Sequence, residues 1–182
     1  MAKATNTPAG QIVAGIYGAG GHRAGENPTL EALVTRLGGQ LFQAWQKRAI
    51  VRYLVTGSKA GNDIVLIGYS RGGNAAVAIA NALGKRGIPI ARLLIFDAHS
   101  FRDKKIFSLQ HNNVARAYNF YQRNPRSAGR FGWWGSNPYW GSPLLSSHIN
   151  VNQANFTGAS CDGSEPVSHL NIISHCLQLG FV

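Results

Sequence analysis

The chain has 182 residues, 45% of them hydrophobic and only 14% charged, so it suits one domain with one sizeable core rather than a disordered polymer. No apolar run approaches the roughly 18 residues of a membrane span, and "MAKATNTPAGQIVAG" lacks the basic and apolar regions of a secretory signal, so a cytoplasmic protein is the default expectation, with signal-independent export left open. Lys and Arg number 18 against 7 Asp and Glu, a net charge of +11 that favours anionic surroundings such as an anionic membrane surface, with nucleic acid ranked below it.

In chain order, "QIVAGIY" (11–17) reads as a strand. Asn27 then reads as an N-cap and Pro28 as the first helical residue. Leu30, Leu33, Val34, Leu37, Leu41 and Trp45 recur at helical spacing, with Gly38 and Gly39 as a break. "AIVRYLV" (49–55) and "DIVLIG" (63–68) read as two further strands. An Ala-rich helix follows over 71–84, then strands over 91–96 and 113–120, and a closing helix over 169–179. Strands separated by helices imply parallel pairing, a mostly parallel sheet of five or more strands with helices on both faces. The segment 122–147 has no periodicity and is rich in Gly, Pro, Ser and aromatics, which marks a functional or mobile loop.

The third strand runs directly into Gly68-Tyr69-Ser70-Arg71-Gly72, a G-x-S-x-G pattern between a hydrophobic strand and a helix. That turn would lift the Ser70 hydroxyl above the sheet, with the Arg71 N–H aimed at an oxyanion from a helix N-terminus. The other reading is a plain serine in a Gly-rich turn. A nucleophilic serine needs a base and a group to orient that base. Of the carboxylates after Ser70, Asp97 ends the strand "LLIFD", Asp103 lies in the basic loop "FRDKK", and Asp162 and Glu165 precede His169. Asp97 is favoured by its place at the carboxyl edge of a core strand, where ligand sites collect in open α/β sheets. His169 is favoured among six histidines because it follows every strand candidate and gives the order Ser, Asp, His. His99 is too local, while His111, His148 and His175 read as surface or packing residues.

The loop "YGAGGHR" (17–23) lacks the third glycine of a dinucleotide fingerprint, since position 23 is Arg. An oxyanion loop fits it better, with Ala19 or Gly20 as the second donor. Cys161 and Cys176 do not match a zinc spacing; they could bridge, but Cys176 falls in an apolar helical pattern, which favours a buried thiol.

Together these stretches resemble an α/β-hydrolase of the small lipase and esterase kind. "GAGG" resembles the family's oxyanion loop, "GYSRGG" its nucleophile elbow, and "IFDAHSF" the lipase variant with the acid one strand after the nucleophile. Ala98 departs from the Pro that commonly follows that Asp. The resemblance spans roughly 11–175 and implies a three-layer α/β-hydrolase-like fold, an ester or lipid substrate, no metal or other cofactor, and a lid at 122–147. Tyr69, Trp133, Trp134, Tyr139 and Trp140 are then candidates to line the substrate site. The competing reading is a non-catalytic basic module, in which Arg123, Arg126 and Arg130 with the following aromatics meet nucleic acid or anionic lipid.

Overall fold

The computed structural model describes residues 10–98, 107–124, 141–161, 163 and 165–182. Among them the chain forms β1 (Gln11–Ile16), α1 (Asn27–Arg36), β2 (Gln40–Phe42), α2 (Lys47–Lys59), β3 (Asp63–Tyr69), α3 (Arg71–Gly84) and β4 (Ile90–Phe96). There follow β5 (Ser108–Leu109), β6 (Val114–Tyr121), β7 (Leu145–Ser146), β8 (Val151–Asn155), β9 (Ser160–Cys161), β10 (Glu165–Pro166) and α4 (Ile172–Gln178). Six strands make one sheet in the order β2-β1-β3-β4-β6-β8, every neighbouring pair parallel. Two small ribbons, parallel β5/β7 and antiparallel β9/β10, lie outside it.

The strands explain why two apolar cores exist. Side chains alternate along a strand, so the apolar runs of β3 and β4 feed both faces. Ile64, Leu66, Leu93 and Ile95 join one core with Ile50 and Leu54 of α2 and with Ala76 and Ile79 of α3. Val65, Ile67, Leu94 and Phe96 join the other with Leu30 and Val34 of α1 and with Ile172 and Ile173 of α4. The architecture is therefore α/β with helices on both faces. From β1 the chain moves outward to β2, then returns to place β3 on β1's other side. The order reverses there, so the carboxyl ends of β1 and β3 flank the crevice where doubly wound sheets bind ligands.

Three local readings of the sequence are corrected. Residues 49–55 are not a strand but the middle of α2, because Ile50, Leu54 and Gly57 share one helical face that packs on the sheet. The β-branched residues Ile50, Val51 and Val55 give this segment a strand-like look that tertiary packing overrides. The missing strand is β2, too short for alternation to register, entered through Gly38 at φ 68° and Gly39. Trp45, placed by spacing on an extended helical stripe, stands 73% exposed beyond β2. Asn27 is not an N-cap: helix α1 begins at Asn27 itself, no side chain caps it, and Pro28 is its second residue. The edge strand β8, "VNQAN", is polar and half exposed, so no apolar pattern marks it.

Candidate active site

Ser70 stands between β3 and α3 with φ 53° and ψ −123°, a backbone conformation rare for any residue but glycine. The turn is held because the Ser70 N–H donates to Phe96 O at 2.8 Å and the Gly73 N–H to Ser70 O at 3.0 Å. The flanking glycines serve close approach. A Cβ at Gly72 would lie 2.1 Å from Ile16 O, and one at Gly68 would lie 2.5 Å from Gly72 O. Helix α3 thus seats its first turn directly on the backbone of β1. Its free N–H groups, Arg71 among them, face the carboxyl edge of the sheet.

Asp97 follows the neighbouring strand β4 at φ 45°, another uncommon backbone angle, with the Asp97 N–H donating to Phe120 O at 2.7 Å. Its carboxylate is fully buried. Oδ1 accepts the Gln122 N–H at 3.1 Å, and Oδ2 accepts the Gln122 Nε2–H at 2.9 Å. The same Oδ2 lies 2.8 Å from His169 Nδ1. Gly141 is required beside it, since a Cβ there would fall 2.2 Å from Asp97 Oδ1. Glu165 is exposed on β10, and Asp103 and Asp162 lie outside the described residues.

His169 is 7% exposed, and its ring stacks on Tyr69 with centroids 4.9 Å apart. Tyr69 is the residue before Ser70, so this stack brings the imidazole to the serine turn. The Tyr69 hydroxyl donates to His169 O at 2.6 Å and accepts the Glu26 N–H at 3.5 Å. Tyr69, 2% exposed, backs the His169 ring. Trp133, Trp134, Tyr139 and Trp140 lie outside the described residues, as does His99. At the two described ends of the 122–147 segment the chain is anchored: Gln122 and Asn124 are buried, Gly141 N–H donates to Gln122 O at 3.0 Å, and Ser142 N–H donates to Ala98 O at 2.9 Å.

The glycine loop after β1 is shaped by Asn27, which is wholly buried. Its Oδ1 accepts the Gly18 N–H at 2.8 Å, while its Nδ2 donates to Gly21 O at 2.5 Å and to Ala19 O at 3.5 Å. Gly18 N–H is therefore spent on Asn27, and Ala19 and Gly20 follow on the exposed side of the loop. Glu26, also buried, reaches across to α4: its carboxylate accepts the Ile173 N–H, the Ser174 N–H at 2.8 Å and the Ser174 hydroxyl at 2.6 Å. Asn27, Glu26, Gln122 and Asn124 escape sequence reasoning. No local pattern marks them, since Gln122 and Asn124 lie in the polar run "QRNPR" and Glu26 and Asn27 in "AGENPT".

Chemically, a buried carboxylate paired to one imidazole nitrogen fixes the ring and directs its other nitrogen outward. Burial pushes the Cys176 thiol well above its ordinary pKa, so it is no nucleophile. Among the described residues no group of three or more His, Cys, Asp or Glu could hold a metal ion, and no helix is long and apolar enough to cross a membrane. Compared with protein-family models and with curated proteins, the chain matches none.

Proposed function

We propose that the protein is a serine hydrolase that cleaves carboxylic esters on an α/β-hydrolase-like fold. The observation that carries this reading is the buried Asp97–His169 contact of 2.8 Å beside a serine held at φ 53° on the neighbouring strand end. Ser70 Oγ attacks the ester carbonyl carbon while His169 Nε2 takes its proton. Asp97 holds the imidazole through Nδ1 and stabilises the charge it gains. The carbonyl oxygen becomes an oxyanion that accepts from the Arg71 N–H and from the N–H of Ala19 or Gly20; losing one such donor costs about 2.7–4 kcal/mol. As the tetrahedral adduct collapses, the C–O bond to the alcohol breaks and His169 gives the alcohol its proton. Water, deprotonated by the same imidazole, then releases the acyl group from Ser70. Lipid esters on anionic surfaces suit the +11 charge.

The test is labelling with a fluorophosphonate, followed by mapping of the modified peptide and assay on short p-nitrophenyl esters. Ser70 is expected to carry the label, and Ser70→Ala to lose both labelling and turnover while keeping its melting temperature. Labelling elsewhere, or unchanged turnover in Ser70→Ala, overturns the reading.

A further inference from the structure

Two amide side chains join the parts of the site that the sequence keeps far apart. Gln122, just past β6, gives both its backbone N–H and its Nε2–H to the Asp97 carboxylate, at 3.1 and 2.9 Å. Its Oε1 accepts the Asn124 N–H at 2.8 Å. Asn124 in turn donates from Nδ2 to Phe156 O at 3.0 Å and to Val167 O at 2.7 Å, and its Oδ1 accepts the Gly158 N–H at 2.6 Å. Phe156 and Gly158 follow β8, and Val167 stands two residues before His169. Gln122 is 2% exposed and Asn124 7% exposed, so water does not compete for these bonds.

The amide orientations follow from chemistry. A backbone N–H can meet only an oxygen, so Oε1 of Gln122 faces Asn124 and Nε2 must face Asp97. Two N–H donors pointing at Asp97 leave it an acceptor. The proton in its contact with His169 therefore sits on Nδ1, which leaves Nε2 unprotonated for the serine. We infer that Gln122, braced by Asn124, is the positioning residue that fixes both the rotamer of Asp97 and the tautomer of His169. This rests on the hydrolase reading for its consequence in turnover, but not for its consequence in the ring.

The experiment uses the full chain and two substitutions. Gln122→Ala removes the donor. Gln122→Glu keeps the shape and sets a second carboxyl against Asp97 Oδ2, where two like charges cannot both ionise freely and one proton is shared. Nitrogen-15 NMR of the His169 ring should report the Nδ1–H tautomer in the wild type and a mixture in Gln122→Ala. In Gln122→Glu, ester turnover should approach wild type in acid, where the shared proton mimics the amide. It should fall by roughly 100-fold as pH rises and that proton leaves, because a displaced base loses about this much. A merely structural role would lower the melting temperature and leave ring tautomer and pH profile alone; folded variants that behave so overturn the inference. If Gln122→Ala does not fold, the isosteric Gln122→Glu profile decides alone, parallel profiles counting against. A tautomer that responds in a protein that never hydrolyses esters supports the positioning role and overturns the reaction instead.

Discussion

Glu26 illustrates what burial does to one side chain. It lies 3% exposed, and its carboxylate serves three donors of α4 from the far side of the sequence. Burial pushes its pKa above the ordinary carboxylate range, outweighing the hydrogen bonds from Ser174 and Ile173 and the pull of His169. The folded protein thus holds this proton more tightly than the unfolded chain. Its stabilising effect is full below the ordinary carboxylate pKa and is lost as pH rises through the raised value. Wild-type melting temperature should carry this decline, and Glu26→Gln, which cannot titrate, should lack that component. Parallel melting curves across mildly acidic pH would refute the assignment. Such residues were hidden in the sequence for a definite reason. Ser70, Asp97 and His169 stand out because nucleophile elbows, carboxylates and histidines are few among 182 residues. An amide such as Asn124 acquires its role from distant partners such as Phe156 and Val167, the latter 43 positions away, and no local pattern announces that. The bond from the Tyr69 hydroxyl to His169 O, 100 positions away, is likewise invisible in the sequence.

At the scale of elements, the seating of α3 on β1 decides where Ser70 points. Gly72 meets Ile16 O and Tyr17 O, with an added Cβ falling 2.1 and 2.6 Å from them. Gly72→Ala must push the helix off the strand, and overpacking of this kind costs about 1–3 kcal/mol. Denaturant unfolding should register that loss, and fluorophosphonate labelling of Ser70 should slow as well, because the serine turn moves with the helix. Gly87→Asn is the control: its φ of 65° suits Asn and nothing lies within 4 Å of its Cβ position, so stability and labelling should stay near wild type. If Gly72→Ala matches this control, the close helix–strand contact does not set the serine. The strands that place Ser70 and Asp97 were legible in the sequence because β3 and β4 are buried on both faces and read as unbroken apolar runs. The flank around β2 and α2 was not. The β-branched residues of α2 imitate a strand, and a three-residue strand carries too little period to contradict them.

Over the whole molecule, cations outnumber acids, and they stand at both edges of the sheet, with Arg36, Lys59, Lys85 and Arg86 exposed at the edge away from Ser70. The carboxyl edge, where Ser70 and the glycine loop lie, bears Arg23, Lys47, Arg48, Arg71 and Arg123, all exposed. Of the carboxylates at this edge, Glu26 and Asp97 are buried and engaged with the protein's own donors, while the half-buried Glu31 accepts the Tyr17 hydroxyl at 3.0 Å. Among the described residues Glu165 is the one exposed acid near His169, and among them no carboxylate forms an ion pair with any of those five cations. If the protein acts on esters as proposed, an anionic ester would meet a positive field from these five cations, which are part of the total charge of +11. Such a field raises encounter rates for anions by about 10-fold or more, and salt weakens it, the screening length being about 8 Å at physiological ionic strength. Two p-nitrophenyl esters of equal chain length, one ending in a carboxylate and one in a methyl group, separate this effect from fit. The ratio of their kcat/KM values should favour the anion in dilute buffer and shrink steadily as sodium chloride is added, while the neutral ester holds constant. Charge reversal at Arg71 and Arg23, Arg71→Glu with Arg23→Glu, should flatten the salt dependence without abolishing turnover of the neutral ester, since in the proposed reaction only the backbone N–H of Arg71, and not its side chain, meets the oxyanion. A ratio indifferent to salt in the wild type would mean that the cations serve some other end than drawing substrate to Ser70.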